Sequence, residues 1–248
     1  MIQFNINSEI GRLRAVLIHE PGPEVENMSP ATAERALYSD ILNLSVASRE
    51  YTQFKNILKL FTQVFEIRDL LNMVIANADA KNQFISDLVD YTGNRSLSDQ
   101  LMKLSDKDFC KQIIEGVPFV QQSLSNFLNK DRYLISPLHN AFFTRDSSFI
   151  IGNTAYIGKM AKKIREPETI LLNILLRYSG NFDGNVVKLS SVPKLEKYSS
   201  TVEGGDILVV ADDVLLVGIG NRSSAQGIDD LIQQILSKND LHYVVVQE

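Results

Sequence analysis

Asp146-SSFIIGNTAYI-Gly158 and Asp206-ILVVADDVLLV-Gly218 are two copies of one pattern, set sixty residues apart. Each opens on an acid, runs through two short apolar stretches broken by a turn, and reaches a glycine twelve residues after the acid. Apolar runs of this length bounded by Gly, Asn and Asp read as paired strands. Beyond each glycine stand an arginine, Arg165 or Arg222, then a segment with helical spacing, then a further strand, NVVKLS or LHYVVV. A period of about sixty residues is a supersecondary repeat of ββαβ type rather than a solenoid unit. Duplicated topology alone accounts for the strands. It does not account for acids at matched strand starts and arginines at matched strand ends. Carboxylates receive planar cations, and a guanidinium grips a carboxylate through two parallel hydrogen bonds. The module edges are therefore the expected place for chemistry, on a small cation that also carries a carboxylate.

Earlier in the chain, Arg14-AVLIHE-Pro21 reads as a first strand, and the proline-rich PGPEVENMSP that begins at Pro21 reads as a loop. Residues 31–62 have helical spacing, and Val64-FEIRDLL returns to a strand-like run. Residues 69–130 are poor in Gly and Pro and read as several short, capped amphipathic helices, an all-helical insertion within one domain spanning 1–248. With 248 residues and 44% hydrophobic composition, the chain has enough apolar material for one large core or two smaller ones. A net charge of −5 with no basic block argues against nucleic acid as a partner. No stretch approaches the roughly 20 apolar residues of a membrane helix, and no signal peptide is evident. The single cysteine, Cys110, forbids an intrachain disulfide and fits a reducing, cytoplasmic setting.

Four short segments could carry a site. In Glu203-Gly204-Gly205-Asp206, the glycines permit positive φ or close approach by a ligand, which would hold the flanking acids near one place. An ordinary turn with solvated acids is the bland reading. Phe143-Thr144-Arg145-Asp146 reads alone as a local Arg–Asp ion pair at a strand start. Arg165 and Arg222 precede helices and can grip a carboxylate or sit on a solvated helix end. Ser223 and Ser224 also fit a helix cap.

Taken together, these segments resemble the arginine deiminase family of guanidino-group-modifying enzymes. The match is carried by His139-Asn140-Ala-Phe-Phe143-Thr-Arg-Asp146, Arg165-Glu-Pro-Glu-Thr169, Glu203-Gly-Gly-Asp206 and Gly220-Asn-Arg222-Ser-Ser224, with the opening Gly11–Pro21 and the helical insertion. It covers nearly the whole chain in order. The resemblance implies an α/β fold, an incomplete α/β propeller holding about three of five ββαβ modules, with the substrate in a central channel. It assigns Asp146 to the guanidinium nitrogens of L-arginine or a related guanidino acid, and Glu203 to a partnership with a catalytic histidine. Asn140, Arg165 and Arg222 would hold the α-carboxylate and Phe143 would pack on the aliphatic stem, with Asp206 beside them. The implied reaction is hydrolysis to L-citrulline and ammonia through a cysteine thiouronium intermediate, with no metal or organic cofactor.

The same resemblance places the catalytic histidine in a His-x-Asp segment after Glu203-Gly-Gly-Asp206, and the cysteine near the C-terminus of a longer chain. Neither segment occurs before Glu248. Cys110 reads as a buried or half-buried helix residue and His19 as structural. His139 could line the channel, and His242 lies in the last strand. Tyr51 stands where the family often has histidine, and Leu37-Tyr-Ser-Asp40 is looser than the family's acidic pair. The polypeptide alone is therefore expected to be inactive. It would be a truncation, half of a split enzyme, or a non-catalytic guanidino-acid-binding relative. Self-association, or association with a chain supplying the missing modules, is expected. An amidinotransferase or dimethylarginine hydrolase branch is a weaker alternative, because the helical insertion argues against it.

Overall fold

The computed structural model describes residues 1–27, 38, 42–119, 132–189, 200–236 and 243–247. They form two compact units, Met1–Arg14 with Phe143–Glu248, and Ala15–Phe142.

The first unit contains both copies of the repeat. Strand Ser148–Ile151 pairs antiparallel with Thr154–Ile157, and the latter pairs parallel with Asn185–Lys188. Helix Glu166–Tyr178 makes the crossover. The second copy repeats this order with Ile207–Ala211, Val214–Gly218, helix Ala225–Leu236 and Tyr243–Gln247. A parallel pair needs such a crossover, whereas a two-residue turn suffices for the antiparallel pair. Each module is thus ββαβ, as the repeat predicts. The copies differ in one respect. A register shift between Val209 and Ala211 gives the second hairpin an extra residue. Register therefore matches Phe149–Tyr156 with Leu208–Leu216, not with Val209, so Asp206 occupies the position of Ser147 rather than that of Asp146. The twelve-residue spacing survives because the helical turn before the first strand ends one residue earlier in the second copy, Gly204–Asp206 against Thr144–Ser147. One buried cluster joins the modules: Phe149, Ile151 and Tyr156 of the first with Ile207, Val209, Leu215, Val217, Ile228, Leu231 and Ile235 of the second.

The second unit pairs strand Ala15–Ile18 in parallel with Gln63–Glu66 across helix Leu44–Phe61. The expected strand from Val64 ends at Glu66. Ile67, Leu70, Leu71, Val74 and Ile75 then bury one face at three- and four-residue spacing, so Ile67–Ile75 is helical. Helices Ala78–Thr92, Ser96–Met102 and Asp106–Glu115 follow. The Asn77 side chain accepts from the Asp79 and Ala80 amides, Ser105 accepts from Asp108, and Gly93 ends its helix at φ 66°. Phe84 and Phe109 meet edge-on in their core, with centroids 5.9 Å apart. The helical expectation for 31–41 and the Leu37–Asp40 comparison fall, Tyr38 apart, outside the described residues, as do residues 120–131 and His242.

At the end of its first strand this unit buries an ionisable cluster. His19 Nε2 lies 2.9 Å from Glu24 Oε1 and its Nδ1 lies 3.4 Å from Glu66. Arg68 bonds the other Glu24 oxygen at 2.5 Å, and the Tyr51 hydroxyl accepts the His19 amide. Burial disfavours a charged His19, but bonds and charge from Glu24 and Glu66 outweigh it and raise its pKa. Burial likewise opposes a charged Glu24, yet His19 and Arg68 lower its pKa. A raised histidine stabilises fully below its unfolded value and loses that contribution as pH rises through the folded one; a lowered glutamate does so above its unfolded value. This pair is therefore expected to stabilise most between about pH 4.5 and 6.5. Melting wild type beside His19→Gln should show their difference shrinking from pH 6 to 8. A difference that grows over that range would remove the charged-pair assignment.

Candidate functional site

The two cassettes bring their acids together. Asp146 sits on the helical turn Thr144–Ser147 immediately before its strand, and Glu203 immediately precedes the turn Gly204–Asp206. Between them lies Arg165, at the junction of the short helix Lys163–Arg165 and helix Glu166–Tyr178, with its side chain 2% exposed. Its Nη1 donates to Asp146 Oδ2 at 2.9 Å and to Glu203 Oε2 at 3.4 Å. Its Nε and Nη2 both donate to Glu168 Oε2, at 3.1 and 2.9 Å. Burial disfavours the charge on Arg165, but the carboxylates of Glu168 and Asp146 more than offset it and raise its pKa. Arg222 Nη1 donates to the same Glu203 oxygen at 3.1 Å. Three carboxylates thus share two guanidinium groups through these contacts.

Backbone and hydroxyl groups fix the acids in turn. Glu203 Oε1 accepts the Ala161 amide, and the Glu203 amide donates to the buried Ser223 Oγ. Ser147 Oγ bonds Glu168 Oε2 at 3.2 Å. Ser224, not Ser223, caps the following helix, accepting the Gly227 amide at 3.1 Å. The paired glycines serve close approach rather than positive φ, since neither Gly204 nor Gly205 has φ in the left-handed region. A Cβ on Gly204 would strike the Arg145 carbonyl and come within 2.7 Å of the Phe149 ring. A Cβ on Gly205 would lie 2.8 Å from Asp146 Oδ1, so glycine there leaves that oxygen uncovered. Asp146 is 26% exposed, and Oδ1 is not the oxygen that Arg165 holds.

Arg145 is not the local partner of Asp146 that adjacency predicts. Its Nη1 and Nη2 grip Glu9, 136 residues away, at 2.9 and 2.6 Å, while Nη2 also donates to the Ile207 carbonyl at 2.7 Å. It ties the N-terminal segment to both cassettes. Glu9 and Glu168 are the residues that sequence reasoning left out. Glu168 had a readable signal, an acid three residues after Arg165 in a first helical turn. Glu9 had none.

Phe143, 48% exposed, leads into the Asp146 turn. Asp206 and Arg222 line a cleft of about 360 Å3 with Gly205, Leu208, Leu216 and Gly218. Asn140 and His139 belong to the other unit, and both are buried. His139 Nδ1 lies 2.5 Å from the Glu24 carbonyl oxygen. Cys110 is buried in helix Asp106–Glu115, where desolvation and neighbouring Asp106 push its thiol up to about 11. At neutral pH it is not a thiolate nucleophile. Among the described residues no helix is long and apolar enough to cross a membrane.

Residues 34–248 match the family model for arginine deiminase. The chain belongs to the arginine deiminase family. It is 32% identical over 250 residues to the arginine deiminase of Borrelia duttonii, covering 95% of this chain and 60% of that one. To the arginine deiminase of Borreliella afzelii it is 34% identical over 246 residues, covering 92% and 58%. The chain therefore spans about 60% of the length of the curated relatives it matches. Among solved structures it resembles a dimethylarginine dimethylaminohydrolase from Pseudomonas aeruginosa complexed with citrulline, with TM-score 0.51, 15% identity, and 96% of this chain and 62% of that one covered. It also resembles an amidinotransferase of saxitoxin biosynthesis from Microseira wollei, with TM-score 0.52, 14% identity, and coverage of 99% and 64%. At those identities the likeness is one of fold, the α/β fold these enzymes share.

Proposed function

We propose that this chain carries the guanidino-acid-binding part of an arginine deiminase site and binds L-arginine without turning it over by itself. The observation that carries this reading is the convergence of Asp146 and Glu203 on a single guanidinium nitrogen, at 2.9 and 3.4 Å. A pair of acids placed for the Arg165 guanidinium is placed for a ligand guanidinium beside it. Asp146 Oδ1, kept open by Gly205, accepts the ligand N–H groups. Arg165 holds both acids in register, and Arg222, 37% exposed, faces the cleft where an α-carboxylate can be met. Phe143 covers the aliphatic stem. The ββαβ modules are read as consecutive blades of an α/β propeller, in a cytoplasmic protein.

Deimination needs a nucleophile that displaces ammonia from the guanidinium carbon and a group that moves the protons. Within these 248 residues the only thiol is Cys110, and it is protonated and buried. Hydrolysis to L-citrulline is accordingly assigned to an assembly containing further sequence. Titration calorimetry tests the binding half. Replacing Asp146 by Asn should weaken L-arginine about tenfold or more, since a hydrogen bond to a charged group is worth roughly 1.5–3 kcal/mol. Citrulline release by the wild-type chain alone, or unchanged arginine affinity in Asp146→Asn, would each overturn the reading.

A further inference from the structure

The N-terminal arm crosses both modules. Ile2–Gln3 pairs in parallel with Phe182–Asp183, just beyond the first module's helix, and the buried Phe4 stacks on Phe182 with ring centroids 6.0 Å apart. Ile6 exchanges two backbone hydrogen bonds, of 2.9 and 2.8 Å, with Gly152 in the turn of the first hairpin. Glu9 then reaches the second module. Its amide donates to the Val209 carbonyl at 3.0 Å, and its Oε1 accepts the Val209 amide at 2.9 Å. Strand Ile207–Ala211 is an edge of its sheet, so this one residue takes both backbone groups that the edge leaves open at Val209.

The same carboxylate holds Arg145 through two parallel bonds, at 2.9 and 2.6 Å, which fix the plane of its guanidinium. In that plane Nε donates to the Gly204 carbonyl at 3.2 Å and Nη2 to the Ile207 carbonyl at 2.7 Å. Those carbonyls bracket the turn Gly204–Asp206, which follows Glu203, while Arg145 itself stands on the turn that carries Asp146. The Arg145 carbonyl meanwhile packs against Gly204, where no Cβ fits. One guanidinium thus spans the two acid-bearing turns. Arg165 ties the carboxylate tips; Arg145 and Glu9 tie the backbones beneath them. The bond from Arg145, helped by the Val209 amide, outweighs partial burial and lowers the pKa of Glu9, so its charge is present at neutral pH.

We infer that Glu9 is a positioning residue of the site: acting through Arg145, it keeps the Asp146 and Glu203 turns at the spacing that lets both acids face one guanidinium. Its consequence for a ligand, a preference for a guanidino group, rests on the reading given under the proposed function. Folding stability is not where the pair acts. The Arg145 and Glu9 side chains are 46% and 30% exposed, a setting in which an ion pair contributes little to stability. Placement is where it acts, because a binding constellation loses strength when the turns that carry it drift by a fraction of an ångström.

Hydrogen exchange and calorimetry on the 248-residue chain and its Glu9→Gln variant test it. Glutamine keeps an acceptor for the Val209 amide and removes the charge that orients Arg145. Exchange of the Asp206 amide, bonded to the Glu203 carbonyl at 3.0 Å, should quicken about tenfold while the urea midpoint stays at the wild-type value. L-arginine affinity should fall roughly fivefold, the equivalent of one partly exposed ion pair, with L-citrulline affinity unmoved. Arg145→Met should lose at least as much, and adding Glu9→Gln to it should lose no more, because Glu9 works through Arg145. Asp106→Asn, which breaks a 2.8 Å ion pair of the other unit, should leave exchange and affinity unchanged. Unaltered Asp206 exchange in Glu9→Gln would overturn the inference, whether or not the chain binds arginine. So would a lowered urea midpoint with faster exchange throughout the unit, the mark of a purely structural tie, or equal, measurable arginine affinity in the two proteins. Local quickening in a chain whose wild type binds no arginine would leave the hold on the turns standing and remove the proposed ligand.

Discussion

Replacing Arg165 by Met is expected to destabilise the first unit by about 3–5 kcal/mol, the cost of leaving buried charge without its partner. Arg165 is the hub of the acid cluster. Glu168 and Glu203 are 4% and 3% exposed, and with Asp146 all three carboxylates bond the same guanidinium. Methionine fills much of the arginine's volume, so the loss reports charge rather than a cavity. Water reaches Asp146 and Arg222 still bonds Glu203, whereas buried Glu168 loses both of its guanidinium bonds, so Glu168 should carry most of the penalty. Adding Glu168→Leu to Arg165→Met should therefore recover part of the stability. Arg165→Lys should fall between, because one ammonium cannot serve Glu168 through two nitrogens and still reach Asp146 and Glu203. Urea unfolding of the four proteins settles the matter. A loss below about 1 kcal/mol for Arg165→Met, the range of exposed ion pairs, would show that the cluster does not hold the fold.

The paired glycines give the second large effect, and they should separate stability from binding. Gly204→Ala places a methyl group against the Arg145 carbonyl and 2.7–2.8 Å from Phe149. Both sit in the packed seam between the modules, where backbone cannot yield cheaply. The expected cost is at the upper end for overpacking, about 3 kcal/mol. Gly205→Ala meets only the side chain of Asp146, at 2.8 Å from Oδ1. That carboxylate can swing away, so stability should fall by less than about 1 kcal/mol. The oxygen proposed to receive the ligand is then covered, and L-arginine affinity should drop tenfold or more. Thermal melts and calorimetry on the two variants measure both quantities. Equal destabilisation with unaltered arginine binding in Gly205→Ala would mean that Asp146 Oδ1 is not the ligand's acceptor.

Much of this arrangement was legible in the chain. The hairpins could be read because their apolar runs are bounded by Gly152-Asn153 and Asp212-Asp213, and the crossover helices because Leu and Ile recur at helical spacing. That Asp146 and Glu203 come together was readable only as a family resemblance; the structure brings both onto Arg165. What the sequence concealed was partnership over distance. Arg145 stands beside Asp146 in sequence but bonds Glu9, and Arg165 reaches acids 19 and 38 residues away. Side-chain pairing of that kind is set by packing, which spacing does not encode. The register shift at Val209–Ala211 was hidden for another reason. An extra strand residue and a shorter preceding turn cancel, so the Asp-to-Gly interval is the same in both copies while the facing residues differ. The strand expected through Leu71 went astray where an apolar run too short to show its period turned out to be the start of a helix.

The acids of the two cassettes are proposed to form a site for a guanidinium cation. Calorimetric titration of the 248-residue chain with L-arginine and with L-citrulline tests it most directly, because the two ligands differ at the group the acids would hold. The guanidinium is charged and donates on every edge; the urea group is neutral and offers a carbonyl to carboxylates that cannot donate. L-arginine is predicted to bind at least tenfold more tightly than L-citrulline, with the preference lost in Asp146→Asn. Equal affinity for the two ligands, or a preference that survives Asp146→Asn, would mean that these acids do not hold the guanidinium.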